Sequence, residues 1–212
     1  MNESQKNSDT KIVSHAKVGI IGGGIMGVSL LYHLAKEGWK DLVLLEKGEL
    51  TSGSTWHAAG QCPQMMGSYN LAKIHLESNN LYKKLEKETE QPTGFHECGS
   101  LRIAYKKEDL DWFKYVKGIL DNVGAPAEII STNEIKKIHP FIKLEGIIGA
   151  FHTPEDGHTD PTSTTNAMAK GARNHGAKIY RKNRVTDIKL LPSGEWKLIT
   201  EKGDIVCEHV VN

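Results

Sequence analysis

The chain has 212 residues and a formal net charge of +1, and its 25% charged and 38% apolar residues are ordinary for a globular protein. A chain of this length buries roughly 70% or more of the surface that its unfolded form exposes, which is enough for one or two domains. Its 27 Lys and Arg residues are scattered among 26 acidic ones, and the densest basic run, residues 181–184, holds three cations, so nucleic acid is not an expected partner.

The spacing of cysteine and histidine does not indicate a metal centre. Cys62, Cys98 and Cys207 stand far apart without a C-x-x-C pair, and the ten histidines do not cluster. An odd and sparse cysteine count also argues against a disulfide scaffold. We therefore expect neither a metal site nor a disulfide-based fold.

The first residues carry no targeting pattern. Residues 1–16 are polar and have neither the apolar core of a secretion signal nor the arginine-rich amphipathicity of a transit peptide. No apolar run approaches the ~20 residues that span a bilayer. We expect a flexible N-terminal segment over residues 1–16, no membrane span, and a location in the cytoplasm, or in the mitochondrial matrix of a eukaryote.

A β-α-β unit is predicted directly after this segment. Residues 18–21 form a short apolar strand that runs into three glycines, and residues 25–35 then carry apolar side chains at helical spacing. Gly38 is placed to end that helix, and residues 42–45 form a second apolar strand that Glu46 ends. The first turn carries a Gly-x-Gly-x-x-Gly motif made of Gly22, Gly24 and Gly27.

Each part of this motif has a physical task. Gly22 allows the tight turn, Gly24 lets a diphosphate approach the backbone, and Gly27 lets helix and strand pack closely. The amides of Ile25 and Met26 open the helix, where unpaired N–H donors and the helix dipole favour an anion. The motif therefore predicts a dinucleotide site, although a plain strand-to-helix turn would use the same glycines.

Glu46 is the predicted partner of the adenosine ribose. It follows Gly24 by 22 residues (46 − 24), where a carboxylate can accept hydrogen bonds from the ribose hydroxyls. The same carboxylate would repel a 2′-phosphate, which disfavours NADP. This pattern alone does not separate FAD from NAD.

The segment that follows favours a flavin. Residues 50–61 are small or carry hydroxyls for about ten positions, which suits a backbone running close beside a bulky ligand. In an NAD-binding unit, this loop usually leads sooner into another helix. We therefore expect the ligand to extend along the loop, as FAD would.

Residues 22–60 resemble the dimethylglycine and sarcosine dehydrogenase family of D-amino-acid-oxidase-like flavoproteins. The most specific stretch is Gly-Ser-Thr-Trp-His-Ala-Ala-Gly at 53–60, and residues 156–161 and 210–212 also match. The similarity covers nearly the whole chain after residue 16. Motif and resemblance together give these expected cofactor-binding residues: Gly22, Gly24, Ile25, Met26, Gly27, Glu46, Lys47, Gly53, Ser54, Thr55, Trp56, His57, Ala58, Ala59, Gly60, Gln61 and Val185.

The resemblance implies that His57 is joined covalently to the 8α carbon of the flavin. A neutral imidazole nitrogen is a competent nucleophile near neutral pH, so it can form a C–N bond at the 8-methyl group. That bond would fix the ring and make the flavin a stronger oxidant, which helps amine oxidation. The alternative is a loop histidine that caps a turn.

The expected fold is α/β: a Rossmann-like, three-layer FAD-binding domain over residues 17–90 and 151–212. Residues 91–150 form an α+β insertion that begins the substrate domain. Further helices are predicted at about 71–85, 109–123, from the Ser131–Glu134 capping box, and over 161–174. Strands are predicted within 95–105 and at 177–180 and 184–190, followed by hairpin turns at 193–194 and 202–203.

Four further residues were weighed individually. The resemblance implies that Val185 contacts the adenine end of the cofactor through its backbone; the alternative is an ordinary core valine. His158 and Asp160 could form an acid–base pair, but a helix-capping role for Asp160 is favoured. Arg102 could bind a substrate carboxylate, or be a surface arginine. No catalytic residue is assigned.

By resemblance, the activity is oxidative N-demethylation of dimethylglycine or sarcosine, with FAD held through His57. The alternatives are another amine or hydroxy-acid flavoenzyme, or a non-catalytic FAD-binding fragment. The partners are a small N-methyl amine and an electron acceptor that is a carrier protein, a quinone or oxygen. The apolar ending at 209–212 predicts a truncated chain, with an unpaired sheet edge there, weak flavin retention and negligible turnover alone.

Overall fold

The computed structural model describes residues 12–212. They divide into two compact units: the described residues up to Ala58 together with Thr165–Asn212, and Ala59–Thr164. Of the segment expected to be flexible, residues 1–11 lie outside the described part, and the first strand already begins at His15. Within the described part, no helix is long and apolar enough to cross a membrane.

The elements alternate irregularly along the chain. The helices are α1 (Ile25–Lys36), α2 (Tyr69–Thr89), α3 (Lys107–Val123), α4 (Thr132–Ile138) and α5 (Pro161–Asn174). The strands are β1 (His15–Ile21), β2 (Leu42–Leu45), β3 (Gln61–Cys62), β4 (His96–Glu97), β5 (Ser100–Ala104), β6 (Glu128–Ile130), β7 (Gly149–Thr153), β8 (Gly157–His158), β9 (Lys178–Tyr180), β10 (Val185–Leu190), β11 (Trp196–Thr200) and β12 (Ile205–Val211). A 3-10 turn covers Thr55–His57.

The first unit is built on a six-stranded sheet in the order β10-β11-β12-β1-β2-β9. Strands β12, β1, β2 and β9 run parallel, and β10, β11 and β12 are joined by antiparallel pairing. All four residues of β2 are buried, as expected for a continuous apolar run inside a parallel sheet. The predicted α/β, Rossmann-like fold is confirmed.

Residues 209–211, where an unpaired sheet edge is predicted, pair with β1, and the pairing with β11 ends at Cys207. Strand β12 lies inside the sheet, with Val210 opposite Gly19 of β1 and Cys207 opposite Trp196 of β11. The two hairpins from β10 to β12 turn the chain back, so that β12 inserts beside β1. Val206 and Cys207 pair with a strand on each side, whereas residues 209–211 pair with β1 alone. The edges of this sheet are β10 and β9.

The second unit contains two three-stranded antiparallel sheets, β3-β8-β4 and β5-β7-β6, with α2, α3 and α4. Helix α3 buries Phe113, Val116 and Leu120, which recur at the helical spacing, and the Phe113 ring lies 5.5 Å from that of Phe151. The unit boundaries fall at other residues than the expected domain bounds of 90/91 and 150/151. The assignment of 91–150 to a substrate domain stays a prediction.

Candidate functional site

The glycine turn between β1 and α1 has the geometry that its motif predicts. Gly22 has φ +112°, in the region that favours glycine, and Gly24 is the N-cap of α1. A Cβ added at Gly27 would lie 2.1 Å from the Gly22 carbonyl oxygen, so only glycine lets helix and strand approach this closely. A Cβ at Gly22 would meet no atom within 4 Å, which leaves open space beside the turn.

The amide end of α1 can receive an anion. The Ile25 N–H donates to Thr55 Oγ1 at 3.0 Å, whereas the Met26 N–H has no acceptor among residues 12–212. The Met26 side chain is 83% exposed, and the first turn of α1 carries no acidic residue. The positive end of the helix dipole is therefore not compensated by a carboxylate within the helix, which favours a bound anion.

Glu46 fixes the glycine turn from the end of β2. The residue is only 8% exposed, and its two carboxylate oxygens accept hydrogen bonds from Gly23 N–H at 2.7 Å and Gly48 N–H at 2.6 Å. Each carboxylate oxygen has a second lone pair, so ribose hydroxyls could be accepted in addition. The sequence placed an acid here but did not reveal this bond to the turn. The neighbouring Lys47 is exposed.

The loop after β2 is tied to the same turn at two points. The Thr51 N–H donates to the Gly23 carbonyl at 2.9 Å, and the Thr55 hydroxyl accepts from the first amide of α1. Both threonines are buried. The residues between and after them (Ser52, Gly53, Ser54, Trp56, His57 and Ala58) are exposed, so the loop presents most of the predicted cofactor residues at the surface of the first unit.

His57 lies at the end of the 3-10 turn. Its ring stacks against that of Trp56, with 3.8 Å between ring centroids and 33° between planes. The His57 N–H donates to the Ser54 carbonyl at 3.2 Å, so the backbone of the turn closes on itself. The ring is solvent-exposed and available for reaction.

Three of the expected cofactor residues, Ala59, Gly60 and Gln61, belong to the second unit. Gly60 has φ +71°, and a Cβ there would lie 2.0 Å from the Thr159 carbonyl oxygen, which explains the glycine. Gln61 in β3 is paired with His158 in β8. A role in cofactor binding for these three residues stays a prediction.

Val185 begins β10 in the first unit and packs, partly buried, against the core around Leu198 and Ile205. The buried Asn183, two positions earlier, donates its N–H to the Glu46 carbonyl at 2.9 Å. This bond ties the start of β10 to the predicted ribose partner. Val185 is thus a core valine by packing, and its contact with adenine stays a prediction.

The second unit contains a cleft of about 950 Å³, lined in part by Gln61, Arg102, Trp112 and His158. Arg102 is exposed on β5 and has no ion-pair partner among the described residues. The arginine is therefore free to meet an anion, but its position is also that of an ordinary surface residue.

Asp160 caps a helix. Its Oδ1 accepts the Ser163 N–H at 2.6 Å at the start of α5, and hydrogen bonds from Ser163 lower the pKa of this carboxyl. The ring of His158 lies near that of His96, with 5.3 Å between the ring centroids. The geometry therefore favours the capping role over an acid–base pair.

Sequence reasoning missed a buried carboxylate in the second unit. Asp156 accepts hydrogen bonds from the Gln64 N–H at 2.7 Å and from the Ser100 and Thr153 hydroxyls at 2.6 Å each. Gln64 and Ser100 are distant from Asp156 in sequence, so no local pattern signals those two bonds. Burial, with a smaller contribution from Asp156, raises the pKa of the nearby Cys62 thiol to about 11.

The comparisons with known proteins agree with this geometry. The family model described as FAD dependent oxidoreductase matches residues 17–212. The chain is 44% identical over 197 residues to the mitochondrial dimethylglycine dehydrogenase of Rattus norvegicus, covering 93% of this chain and 23% of that protein. It is 37% identical to the mitochondrial pyruvate dehydrogenase phosphatase regulatory subunit of Mus musculus (94% and 23%) and 35% identical to the mitochondrial sarcosine dehydrogenase of Homo sapiens (84% and 19%).

Among solved structures, L-proline dehydrogenase from P. horikoshii superposes with a TM-score of 0.85 at 30% identity, covering 95% of this chain and 53% of that one. The chain thus spans only 19–23% of the length of the three curated relatives. The glycine turn, the acid that braces it and the family match over 17–212 lead to one conclusion. The chain belongs to the FAD-dependent oxidoreductase family.

Proposed function

We propose that the first unit holds FAD, with the diphosphate at the amide end of α1 and the adenosine ribose at Glu46. The observation that carries this proposal is the glycine turn, which leaves the Met26 N–H without a protein acceptor beside open space at Gly22. A diphosphate would accept from that amide and interact favourably with the helix dipole. The family match supports FAD as the dinucleotide.

The loop after β2 would hold the remainder of the cofactor. Its exposed hydroxyls at Ser52 and Ser54 can donate to phosphate oxygens, and its anchoring through Thr51 and Thr55 keeps it beside the glycine turn. Bound FAD would supply the hydride acceptor, and the chain's own residues bind and orient it.

His57 is the proposed point of covalent attachment. Its ring is exposed, and the described residues offer its side-chain nitrogens no hydrogen-bond partner, so a nitrogen lone pair is free to react. In the attachment step, the unprotonated ring nitrogen would bond to the 8α carbon, the imidazole would lose the proton from its other nitrogen, and the methyl group would lose one hydrogen. The two electrons and two protons pass to dioxygen, which becomes hydrogen peroxide.

The reaction that this family membership favours is oxidative N-demethylation of a small N-methyl amine such as dimethylglycine or sarcosine. The names of two relatives, dimethylglycine dehydrogenase and sarcosine dehydrogenase, support this substrate class. Bound FAD would accept a hydride from the N-methyl carbon, and the resulting iminium would be hydrolysed or would pass its carbon to folate. The mitochondrial names of both relatives favour the matrix of a eukaryotic cell over the cytoplasm.

A second function has specific support. One relative, 37% identical over 94% of this chain, is named a phosphatase regulatory subunit and not a dehydrogenase. A non-catalytic FAD-binding module therefore stands as the alternative. The two functions differ in one observable: a catalyst reduces its flavin with substrate, and a binding module does not.

Cofactor binding is tested by titrating the apoprotein with FAD and, as a control, with FMN, which lacks the adenosine that Glu46 is proposed to hold. We expect FAD to bind at least about tenfold more tightly, because one charge-assisted hydrogen bond is worth about that much. Equal affinities would contradict the ribose assignment.

The reaction is tested by adding dimethylglycine, sarcosine and N,N-dimethylethanolamine, which lacks the carboxylate, to the holoprotein without oxygen. Bleaching of the flavin by the first two compounds supports the dehydrogenase. A stable yellow colour with all three supports the binding module.

A further inference from the structure

The exposed indole of Trp56 contributes little to the fold. It is 56% exposed, and its ring contact is with the imidazole of His57, its neighbour in the chain. The buried side chains of this loop are Leu50, Thr51 and Thr55, and they anchor it without the indole. The indole is therefore available for a role other than core packing.

Among the described residues, the ring contact of His57 is its stack with Trp56. Among residues 12–212, no polar group hydrogen-bonds to the ring nitrogens of His57, so the rotamer is not fixed by a donor or an acceptor. The backbone of the turn is fixed, because the Thr55 hydroxyl accepts from Ile25 N–H and the His57 N–H donates to Ser54. The indole at 3.8 Å thus completes the positioning of the imidazole on a rigid turn.

The geometry of the stack leaves the reactive atoms free. The two rings lie 33° from parallel, so the indole covers one face of the imidazole. The lone pair of an imidazole nitrogen lies in the plane of the ring and points outward from its edge. Stacking therefore limits rotation of the ring without blocking the atom that would form the C–N bond.

We propose that Trp56 is a positioning residue for covalent flavin attachment, holding the His57 imidazole in the orientation from which its ring nitrogen bonds to the 8α carbon. This inference rests on the proposed attachment at His57. Fixing a reactive group before the reaction lowers the entropic part of the barrier, and an aromatic pair supplies a modest share of that effect. We expect loss of the indole to slow attachment by about two- to tenfold.

The test follows the appearance of acid-stable flavin after mixing the apoprotein with excess FAD. The parent chain is compared with Trp56→Ala, Trp56→Phe and the control Trp39→Ala, which removes another partly exposed indole near a histidine in the same unit. We expect slower attachment in Trp56→Ala, substantial recovery in Trp56→Phe, and the parent rate in Trp39→Ala. Attachment rates are compared at saturating FAD, and non-covalent affinity is measured separately in a His57→Ala background, so that slower attachment in Trp56→Ala is not a consequence of weaker binding.

The possible failures are distinguishable. An attachment rate in Trp56→Ala equal to that of the parent overturns the positioning role and leaves His57 attachment intact. Slower attachment in Trp56→Ala that returns to the parent rate at saturating FAD overturns it too, because the indole would then act through FAD binding alone. If the parent chain yields no acid-stable flavin, both the attachment and the inference that rests on it are overturned, while non-covalent FAD binding is judged by the FAD and FMN titration.

Discussion

Replacing Gly27 with alanine should break the packing between α1 and the glycine turn. The added Cβ would lie 2.1 Å from the Gly22 carbonyl oxygen, whereas a carbon and an oxygen in contact keep about 3.3–3.6 Å apart. The helix must therefore move by about 1.2 Å (3.3 − 2.1), because the obstacle is backbone and no side-chain rotation relieves it. That movement disturbs Val28 and Leu31, which are fully buried.

Two opposing effects set the change in the free energy of unfolding of Gly27→Ala. Overpacking of this kind costs about 3 kcal/mol at the upper end of its usual range, and alanine gains about 1 kcal/mol over glycine in a helix. The net loss in free energy of unfolding is about 2 kcal/mol. FAD affinity should also fall at least about tenfold, since the displaced turn no longer presents the Met26 amide to the diphosphate.

Gly118→Ala is the matched control, because Gly118 also lies in a helix and a Cβ there meets no atom within 4 Å. It should raise stability by about 0.5–1 kcal/mol and leave FAD affinity unchanged. In urea denaturation followed by circular dichroism, the midpoints of the two variants should differ by about 1–2 M. A Gly27→Ala midpoint at or above that of the parent would refute the packing argument.

Three further outcomes are expected. Glu46→Ala should lower the urea midpoint and weaken FAD binding at least about tenfold, because the Gly23 and Gly48 amides and the ribose lose a charged acceptor. Glu46→Gln should have a milder effect on both, and unchanged FAD uptake in Glu46→Ala would place the nucleotide elsewhere. Ser131→Ala should cost about 1 kcal/mol in urea denaturation, since Ser131 and Glu134 form a capping box at α4, and a change near zero would contradict that role. Burial raises the thiol pKa of Cys62 and of Cys207 from 9.0 to about 11. Because thiols of the unfolded chain then ionise at lower pH than those of the folded chain, the free energy of unfolding should fall as pH rises from 9 to 11. The fall should be smaller in a variant with both cysteines changed to alanine, and an equal fall would argue against these pKa values.

The sequence was most informative where a motif is local. The strand, glycine turn and helix around Gly22–Gly27 follow from apolar spacing and glycine geometry over some thirty residues, and the structure confirms their positions. The capping residues Ser131 and Asp160 were likewise predictable, because a cap bonds within three residues of itself.

The sequence was least informative where distant segments meet. The placement of β12 between β1 and β11 depends on pairing across the whole chain, which the pattern at 209–212 does not contain. Strands β3 and β8 have two residues each, too few for an alternation of apolar and polar side chains. The hydrogen bond that Glu46 accepts from the Gly23 N–H and the stack of Trp56 on His57 arise only once the chain is folded.

The proposed function depends most directly on where FAD lies in the protein. A crystal structure of this chain with FAD should show a diphosphate oxygen within hydrogen-bond distance of the Met26 N–H, and the adenosine ribose hydroxyls on the Glu46 carboxylate. A diphosphate away from the amide end of α1, or a ribose that does not contact Glu46, would contradict it.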